Sequence, residues 1–412
     1  MSTRRHRASF LAAVPLILGA CASAPNPSPS SPAAIAPSAS PSIEPRPTPI
    51  VTPASTAERS PTAVPPSVTG WVTHEMSFAN DCCPIDDLDV TSAAGGTIHL
   101  VDHVEEALAN GFDAGRYQRS TDGGRTWGAE HQLLGIGEFV AATGDRVFIA
   151  FQAYKCRSGI GVVRNDKNGA PAAWSPVTCL PGDGDVGGSE WGPQVAATGS
   201  SVYVLSIDHG TKRVHLRTSH DAGRTFASKA LGTARPDSDG FVGPVLLSAD
   251  DDMVAASWPD AGRPVVRVSR DGARTWGPEI PMPGGVGELS VRDGRTLAQG
   301  WFGADGPWYR LASRTEFESV AAPAPTTNPD PSRLTATRLV LGPAGALGGL
   351  GTESCSTTWR TSADGGATWS VPELIADGCL SIAIGDSSPF PVSWLDDGHI
   401  VTFLDGLVAE RP

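Results

Sequence analysis

Three features are missing from this sequence of 412 residues. Beyond residue 20 it has no apolar run that approaches the ~20 residues of a membrane-spanning helix, which excludes a bundle of such helices. It has no long stretch with helical periodicity, so an α-helical domain is excluded as well. It has no cluster of lysine and arginine, and its net charge is −13. We therefore expect no nucleic-acid partner, because binding to a phosphate backbone requires many basic contacts.

The N-terminal residues have the pattern of a bacterial secretory signal. Basic residues occupy positions 4, 5 and 7, an apolar stretch covers 10–17, and residues 18–21 have the sequence LGAC. This tetrapeptide resembles a lipobox, which implies that residues 1–20 are a signal peptide and that Cys21 carries a lipid. The lipid would anchor the exported chain to the extracytoplasmic face of the cell membrane. An ordinary signal peptide and an uncleaved membrane anchor are the alternatives.

Residues 21–69 are expected to form a disordered linker. Positions 22–69 contain 13 prolines and no aromatic residue among many serines, alanines and threonines. Such a composition cannot build a core, and a proline-rich chain is semi-rigid. The remaining residues, 70–412, are enough for one large folded domain.

Short alternating apolar runs such as RVFIAFQAY and SVYVLSI dominate residues 70–412 and predict β-strands with one buried face. This pattern, repeated with a period near 50 residues, predicts an all-β propeller of seven blades, with six blades as the alternative. The last period lacks its fourth strand, and the unclaimed strand at 70–77 is expected to supply it and close the ring. The tight turns that define the period lie near Gly95, Gly144, Gly199, Asp251, Gly294, Gly345 and Gly398.

An octapeptide recurs in four of the periods, between the third and fourth strands. Its acid can accept hydrogen bonds within its own turn, and the glycine at its fifth position tolerates positive φ. The copies are STDGGRTW from Ser120, SHDAGRTF from Ser219, SRDGARTW from Ser269 and SADGGATW from Ser362.

Three positions depart from this pattern. In the third copy Ala273 replaces the fifth-position glycine, so either that turn differs or Gly272 takes the strain. The stretch 164–174 retains Asp166, a glycine and Trp174 of a degraded copy, and almost nothing is left of another copy near Ser313.

The pattern S-x-D-x-G-x-T-W, repeated once per period, resembles the Asp box, or BNR repeat, of sialidase-like β-propellers. The resemblance implies a structural role for the box residues and places the boxes on the rim opposite the ligand-binding face. It assigns no activity, because Asp boxes occur in sialidases, other glycosidases, assembly factors and receptors. The residues with the implied structural role are Ser120, Asp122, Gly124, Trp127, Ser219, Asp221, Gly223, Phe226, Ser269, Asp271, Trp276, Ser362, Asp364, Gly366 and Trp369.

Four cysteines occupy matching places in two of the periods. Cys156 and Cys179 follow the second and fourth strands of one period, and Cys355 and Cys379 do so in another. Because an exported chain favours disulfides, the spacing predicts the bonds Cys156–Cys179 and Cys355–Cys379.

The first candidate for ligand binding is the segment NDCCPIDD, with Cys82, Cys83, Asp86 and Asp87. It precedes the first hairpin and is therefore expected on the face opposite the boxes, near the central channel. For the adjacent cysteines, a strained vicinal disulfide, a thiolate metal site and pairing with another cysteine remain open.

The second candidate is the glycine-rich segment GDGDVGGSEW, in which Glu190 and Trp191 are expected to contact a ligand, the latter by stacking. Calcium binding by this segment is disfavoured, because its acids lack the spacing of an EF-hand. The pair His99 and His103 is better explained by packing than by metal binding. We expect neither a metal ion nor another cofactor.

Two functions fit these features. A sialidase requires three arginines, a Tyr–Glu pair and an acid/base aspartate, but the R-I-P motif of that family is absent. Arg217, Arg267 and Arg360 each precede a box serine by two residues, which indicates a structural role. We expect a monomeric, membrane-anchored binding or scaffold module that recognises a glycan or an extracytoplasmic protein. The alternative is an exported glycoside hydrolase with unassigned catalytic residues, its candidate carboxylates being Asp86, Asp87, Asp183, Asp185, Glu190, Asp237, Asp239 and Glu353.

Overall fold

The structure is a computed structural model in which every described element is a β-strand or a short 3-10 helix. The two 3-10 helices are Pro171–Ala173 and Pro343–Gly345. The described residues are 70–75, 89–93, 96–104, 114–133, 135–153, 155–181, 192–208, 210–236, 243–261, 263–300, 308–313, 316–320, 337–353, 356–377, 392–394, 398–404 and 407–411.

The strands form seven four-stranded antiparallel sheets, which we number as blades 1 to 7. Blade 1 contains β2 (Asp89–Ala93), β3 (Thr97–Val104), β4 (Ala114–Ser120) and β5 (His131–Gln132). Blade 2 contains β6 (Gly135–Thr143), β7 (Arg146–Ala153), β8 (Ile160–Asn165) and β9 (Thr178–Cys179). Blade 3 contains β10 (Gln194–Thr198), β11 (Ser201–Ile207), β12 (Arg213–Ser219) and β13 (Ala227–Thr233).

The remaining blades follow the same order along the chain, except the last. Blade 4 contains β14 (Leu246–Asp250), β15 (Met253–Trp258), β16 (Val265–Ser269) and β17 (Ile280–Pro281). Blade 5 contains β18 (Glu288–Arg292), β19 (Arg295–Gly300), β20 (Trp308–Ala312) and β21 (Glu318–Ser319). Blade 6 contains β22 (Thr337–Leu341), β23 (Leu347–Glu353), β24 (Ser356–Ser362) and β25 (Glu373–Asp377). Blade 7 contains β26 (Val392–Trp394), β27 (Ile400–Leu404), β28 (Leu407–Arg411) and, as its outer strand, β1 (Val72–Glu75).

The blades form a closed ring. The inner strands of neighbouring blades contact each other in the order β2, β6, β10, β14, β18, β22, β26 and back to β2. The N-terminal strand β1 pairs with β28, so the two ends of the chain complete blade 7 together. The prediction of a seven-bladed β-propeller closed by an N-terminal strand is therefore confirmed, and the six-bladed alternative is wrong.

The two ends of the ring differ, and we name them by their contents. In the four blades that carry an octapeptide, its turn lies at the same end as the first hairpin; for example, Gly123 N donates to Gly96 O (3.1 Å) and Ala222 N to Ser200 O (2.9 Å). We call this the box end. The inner strands begin at the opposite end, which we call the loop end.

The hydrophobic core lies between facing sheets. One cluster joins Leu205 and Leu216 of blade 3 to Val254 and Trp258 of blade 4, and all four side chains are buried. Alternation of apolar and polar residues along each strand places one set on each face of the sheet, so every blade packs against both neighbours. This is why apolar residues recur in all seven periods.

One of the two predicted disulfides lies within the described residues and is confirmed. Cys156 and Cys179 are bonded with a Cα–Cα distance of 5.2 Å, and the bond joins the end of blade 2's outer strand to the loop before β8. Disulfides are typical of proteins that fold in an oxidising compartment. The bond expected between Cys355 and Cys379 falls outside the described residues and stays a prediction.

Candidate functional site

The four octapeptides form the same hydrogen-bonded turn, which the third copy illustrates. Ser269 Oγ donates to Asp271 Oδ1 (2.8 Å) and accepts from Ala273 N (2.9 Å). Thr275 donates twice to Asp271, from N to Oδ1 (2.8 Å) and from Oγ1 to Oδ2 (2.6 Å). Each turn thus uses most of the hydrogen-bonding capacity of its serine, aspartate and threonine internally, which supports a structural role for these groups.

The backbone of the octapeptide requires two consecutive residues with positive φ. In the first copy these are Gly123 and Gly124, but Ala222 has φ 58° in the second copy and Ala273 has φ 67° in the third. The turn keeps its hydrogen bonds but differs slightly in its backbone, since φ is 67° at Ala273 and 93° at Gly124, and the strain lies on Ala273 and not on Gly272. Alanine itself adopts the left-handed conformation, which costs about 1–2 kcal/mol.

The same hydrogen bonds keep the box carboxylates ionised. The side-chain and backbone donors of Thr275 lower the pKa of Asp271 from 3.8 to about 2. Thr368 does the same for Asp364, whose pKa is also about 2. Because the folded state stabilises the charged form, these carboxylates support the fold at every pH above their ordinary pKa.

In the degraded copy of blade 2, an asparagine side chain makes the turn's hydrogen bonds in place of the box serine and aspartate. Val147 pairs with Asn165 as Val202 pairs with Ser219, so Asn165 occupies the serine position. Its Oδ1 accepts from Lys167 N (2.9 Å) and Gly169 N (3.1 Å). The interpretation of Asp166 as the retained box acid is wrong by one residue, because Lys167 holds the position two after the serine equivalent.

Blade 7 has no octapeptide, and a buried glutamate takes its place at the box end. Glu410 on β28 receives Arg125 Nη2 of the first octapeptide (2.6 Å) and lies 3.3 Å from His74 Nε2 on β1. Gly123 makes this approach possible, since a Cβ there would lie 1.6 Å from Glu410 Oε2. Trp71, directly before β1, is buried, and its ring packs edge-on against that of Trp359 in blade 6, with 6.1 Å between the ring centroids.

Direct hydrogen bonds between neighbouring blades complete the box end. Gly199 N donates to Thr143 Oγ1 (2.9 Å), and Asp251 N donates to Thr198 Oγ1 (3.1 Å). In each case the last residue of one inner strand holds the first hairpin of the next blade. The box end is therefore a continuous hydrogen-bonded rim over these blades.

At the loop end, blades 5 and 6 meet through a charged cluster. Arg338 Nε lies 2.6 Å from Glu288 Oε2, and both side chains are largely buried. Gln299 Nε2 donates to Glu288 and to Leu339 O (2.8 Å), and its Oε1 accepts from Leu339 N (2.9 Å). Glu288 and Arg338 are the first and second residues of their inner strands, so the cluster lies at the start of the inner strands.

Asp89 begins the inner strand of blade 1 and lies at the same end. Its Oδ2 accepts from Val140 N of blade 2 (2.7 Å). Burial raises the pKa of Asp89 to about 7, although its hydrogen bonds with Val140 and Val90 and the charge of Arg338 act in the opposite direction. Asp89 can therefore give up or take on a proton near neutral pH.

A second acid–base pair lies towards the loop end of blade 1. Arg116 donates to Asp102 Oδ2 from Nη2 (2.6 Å) and from Nε (3.0 Å). The carboxylate is almost completely buried, and Arg116 also lies 3.7 Å from Glu130. Buried ion pairs therefore lie towards the loop end both in blade 1 and between blades 5 and 6.

The arginines that precede box serines have structural partners. Arg217 is buried and donates to Pro181 O (2.6 Å) and Ser206 Oγ (2.7 Å). Arg267 donates to Leu231 O of the preceding blade (2.8 Å). These bonds support a role in joining blades and not in ligand binding.

His99 is buried in blade 1, with its Nδ1 2.8 Å from Tyr117 Oη. Burial lowers its pKa to about 4, so the imidazole is neutral at physiological pH. The side chain of His103 is not among those described. No group of three or more potential metal ligands occurs within the described part of the chain.

The ligand-binding residues expected from the sequence fall outside the described residues. Cys82, Cys83, Asp86 and Asp87 belong to the stretch between β1 and β2, and Glu190 and Trp191 to the stretch between β9 and β10. Cys21 also lies outside. Of the helices that the structure describes, none has the length and apolar character needed to cross a membrane.

Sequence reasoning missed four residues that the loop end brings together: Asp89, Glu288, Gln299 and Arg338. Their side chains interact between blades, and the spacing along one period does not reveal such contacts. A weak signal exists for Gln299, which interrupts the apolar run of its strand RTLAQG. An acid at the first position of an inner strand, as at Asp89 and Glu288, is the second signal.

Comparison with known proteins gives similarity of fold alone. No protein-family model and no curated protein matches the sequence. Among solved structures, a mutant NanB sialidase from Streptococcus pneumoniae is 8% identical over 65% of each chain, with a TM-score of 0.40. A mutant of Trypanosoma rangeli sialidase with trans-sialidase activity is 12% identical over 75% of this chain and 58% of its own, with a TM-score of 0.42. A mutant Aleuria aurantia lectin in complex with Fucalpha1-6GlcNAc is 10% identical over 71% of this chain and 96% of its own, with a TM-score of 0.41.

The chain thus covers less than two thirds of the length of either sialidase. Likenesses of this size carry no information about activity.

Proposed function

We propose that the chain is an exported, lipid-anchored propeller of the sialidase-like type that binds a glycan or an extracytoplasmic protein at its loop end. The observation that carries the proposal is the contrast between the two ends of the ring. The box carboxylates accept hydrogen bonds within their own turns, whereas charged groups such as Asp89, Glu288 and Arg338 lie at the start of inner strands. A buried acid with a raised pKa, such as Asp89, is typical of binding and catalytic sites.

The chemistry of the loop end suits a ligand rich in hydroxyl groups. Arg338 and Glu288 hold each other in place, and Gln299 fixes the carboxylate from the other side. Such a cluster fixes the starts of two inner strands before a ligand arrives, and this pre-organisation lowers the entropic cost of binding to the residues around it. We propose that the residues at 82–87 and 190–191 contribute the outer part of the same site.

A glycan array and a panel of fluorogenic glycosides, both run with the full chain, test this proposal. We expect retention of a defined set of glycans and no turnover of any glycoside. Trp191→Ala should weaken glycan retention about tenfold, because stacking on the indole is lost, whereas Val371→Ala at an exposed position should not. An empty array would exclude the glycan and leave the protein ligand, to be identified by crosslinking on intact cells.

A glycoside hydrolase is the second candidate, and Asp89 is the observation that favours it. A general acid works best when its pKa lies near the operating pH, and the pKa of Asp89 is about 7. Turnover of one glycoside that Asp89→Asn abolishes, with Asp145→Asn unaffected, would replace the binding proposal with this one.

The lipid anchor has a separate test. Mass spectrometry of the mature protein should find an acylated N-terminal peptide that begins at Cys21. Cys21→Ser should release the protein from the membrane fraction. A membrane-bound Cys21→Ser protein would refute the anchor without touching the proposal for the loop end.

A further inference from the structure

The outermost strand of blade 3 differs from those of most other blades. β13 has seven residues, whereas β5, β9, β17 and β21 have two each. The sheet order β10-β11-β12-β13 places it at the edge of its blade. An edge strand of this length presents a row of backbone N–H and C=O groups that can pair with another strand.

This edge is open to solvent. The first four residues of β13 are exposed, and of the seven only Leu231 is buried. The buried Leu231 packs into the core between blades 3 and 4, which holds the strand in place. The core thus fixes the strand, and its edge is accessible except at the bulge residue Leu231, whose carbonyl oxygen accepts from Arg267 Nη1 (2.8 Å).

The surroundings of β13 are basic, in a chain whose net charge is −13. Of the six basic residues from Lys212 to Arg235, Arg217 is buried and Arg235 pairs with Asp260 of blade 4, which leaves Lys212, Arg213, Arg224 and Lys229 beside one acid of the same stretch, Asp221. Asp221 is occupied within its own octapeptide turn by Thr225, whose Oγ1 donates to Oδ2 (2.6 Å). Lys229 lies on the edge strand itself and, like the other exposed bases of this region, keeps its charge in contact with water.

The basic residues come from both strands of the outer hairpin. Arg213 begins β12, and the register pairs it with Thr233 at the far end of β13. Lys229 donates from Nζ to Arg274 O of blade 4 (3.3 Å), which directs its charge along the outer surface. Arg213 and Lys229 therefore place positive charge beside two points of the edge, while Glu279 of blade 4 lies near Gly232.

We propose that the edge of β13 is a docking site for an extended acidic segment of a partner protein, which adds a fifth strand to blade 3. The open edge supplies the backbone pairing, and the flanking bases select for acidic side chains. A second copy of this chain fits less well, because its edge carries the same positive charge. An anionic polysaccharide fits less well, because it has no N–H and C=O ladder.

The probe is a fluorescent peptide of alternating glutamate and valine residues, titrated with the full chain and followed by anisotropy. We expect saturable binding that weakens as salt rises. Arg213→Glu combined with Lys229→Glu should weaken it about tenfold. The matched control is Lys155→Glu, at an exposed position of blade 2, which should bind as the wild type does.

Two further probes separate strand addition from simple charge attraction. The same acidic peptide with alternate backbone nitrogens methylated should not bind, and neither should a peptide of alternating lysine and valine. Equal binding of the methylated peptide, or of heparin with the same sensitivity to the two charge reversals, would overturn the proposal. So would an unchanged affinity of the double variant, whose folding is checked by its melting temperature. The proposed ligand of the loop end is not involved in any of these outcomes.

Discussion

The two ends of the propeller shift the pKa values of their carboxylates in opposite directions. At the box end Asp271 and Asp364 sit in turns that donate hydrogen bonds to them, and their pKa values fall to about 2. At the loop end burial raises the pKa of Asp89 to about 7. The first environment stabilises a charge, whereas the second opposes it.

This difference gives the two ends opposite pH dependences of stability. Stability from the box aspartates is present above their ordinary pKa of 3.8 and is lost as the pH falls towards 2. The contribution of Asp89 has the opposite sign: it is complete below pH 4 and is lost as the pH rises through 7. Asp89 therefore lowers the stability of the fold at neutral pH, which the box aspartates do not do.

The largest effect should come from the closure of the ring at the box end. Trp71→Ala removes a buried indole between blades 6 and 7 and should lower the free energy of unfolding by about 4 kcal/mol. Chemical denaturation measures the loss. Val371→Ala, at a side chain that is 81% exposed, is the control. A loss no larger than the control's would mean that β1 does not hold the ring closed.

Asp89→Asn should act in the stabilising direction at the loop end. The asparagine Oδ1 can still accept from Val140 N, but no charge is buried. A shift from 3.8 to about 7 corresponds to about 4 kcal/mol, and the partial contact of Asp89 with water reduces the expected gain at pH 8 to about 2 kcal/mol.

Thermal unfolding of the Asp89→Asn variant and of the wild type, compared between pH 4 and pH 8, measures this gain in stability. The difference from the wild type should vanish near pH 4, where both side chains are neutral. Asp145→Asn removes the same charge from an exposed turn and should show no such dependence. A gain of equal size at both pH values would contradict the assignment.

Ser269→Ala tests the octapeptide itself. It removes the donor to Asp271 and leaves Ala273 N without its acceptor, so the free energy of unfolding should fall by about 1.5 kcal/mol. Ser228→Ala, an exposed serine of β13, provides the reference. If both variants unfold at the same denaturant concentration, the turn does not stabilise the box end.

The smallest effect concerns the left-handed alanine of the third copy. In Ala273→Gly the relief of about 1–2 kcal/mol of backbone strain is offset by the lost methyl group and by the entropy of glycine. We expect a change below about 0.5 kcal/mol. Ala230→Gly, at an exposed position of β13, should lose about 0.5–1 kcal/mol. A larger loss at position 273 than at 230 would argue against strain in this turn.

The fold was predictable because its signals are local. Tight turns near Gly144 and Gly199, alternating strands and the octapeptide recur with one period, and each can be recognised within a few residues. The bond between Cys156 and Cys179 followed from the same period. Even the closing strand was predictable, because the last period lacks a fourth strand and the strand at 70–77 belongs to no other period.

The candidate site was not predictable to the same extent. Asp89, Glu288 and Arg338 are separated by up to five periods, and only the ring brings their blades together. The misplaced Asp166 has a different cause. Asn165 replaces the box serine, and the octapeptide pattern does not reveal that equivalence, so the register of this copy is visible only in the strand pairing.

The closure of blade 7 has a consequence for the order of events during synthesis. His74 and Glu410 are 336 positions apart, whereas the strands of every other blade are neighbours along the chain. Blades 1 to 6 can therefore assemble from short-range pairings as the polypeptide emerges, whereas β1 can pair only after β28 has been synthesised. Because pairings between distant residues form slowly, the final docking of this four-residue strand is the step most exposed to competition from other unpaired sheet edges.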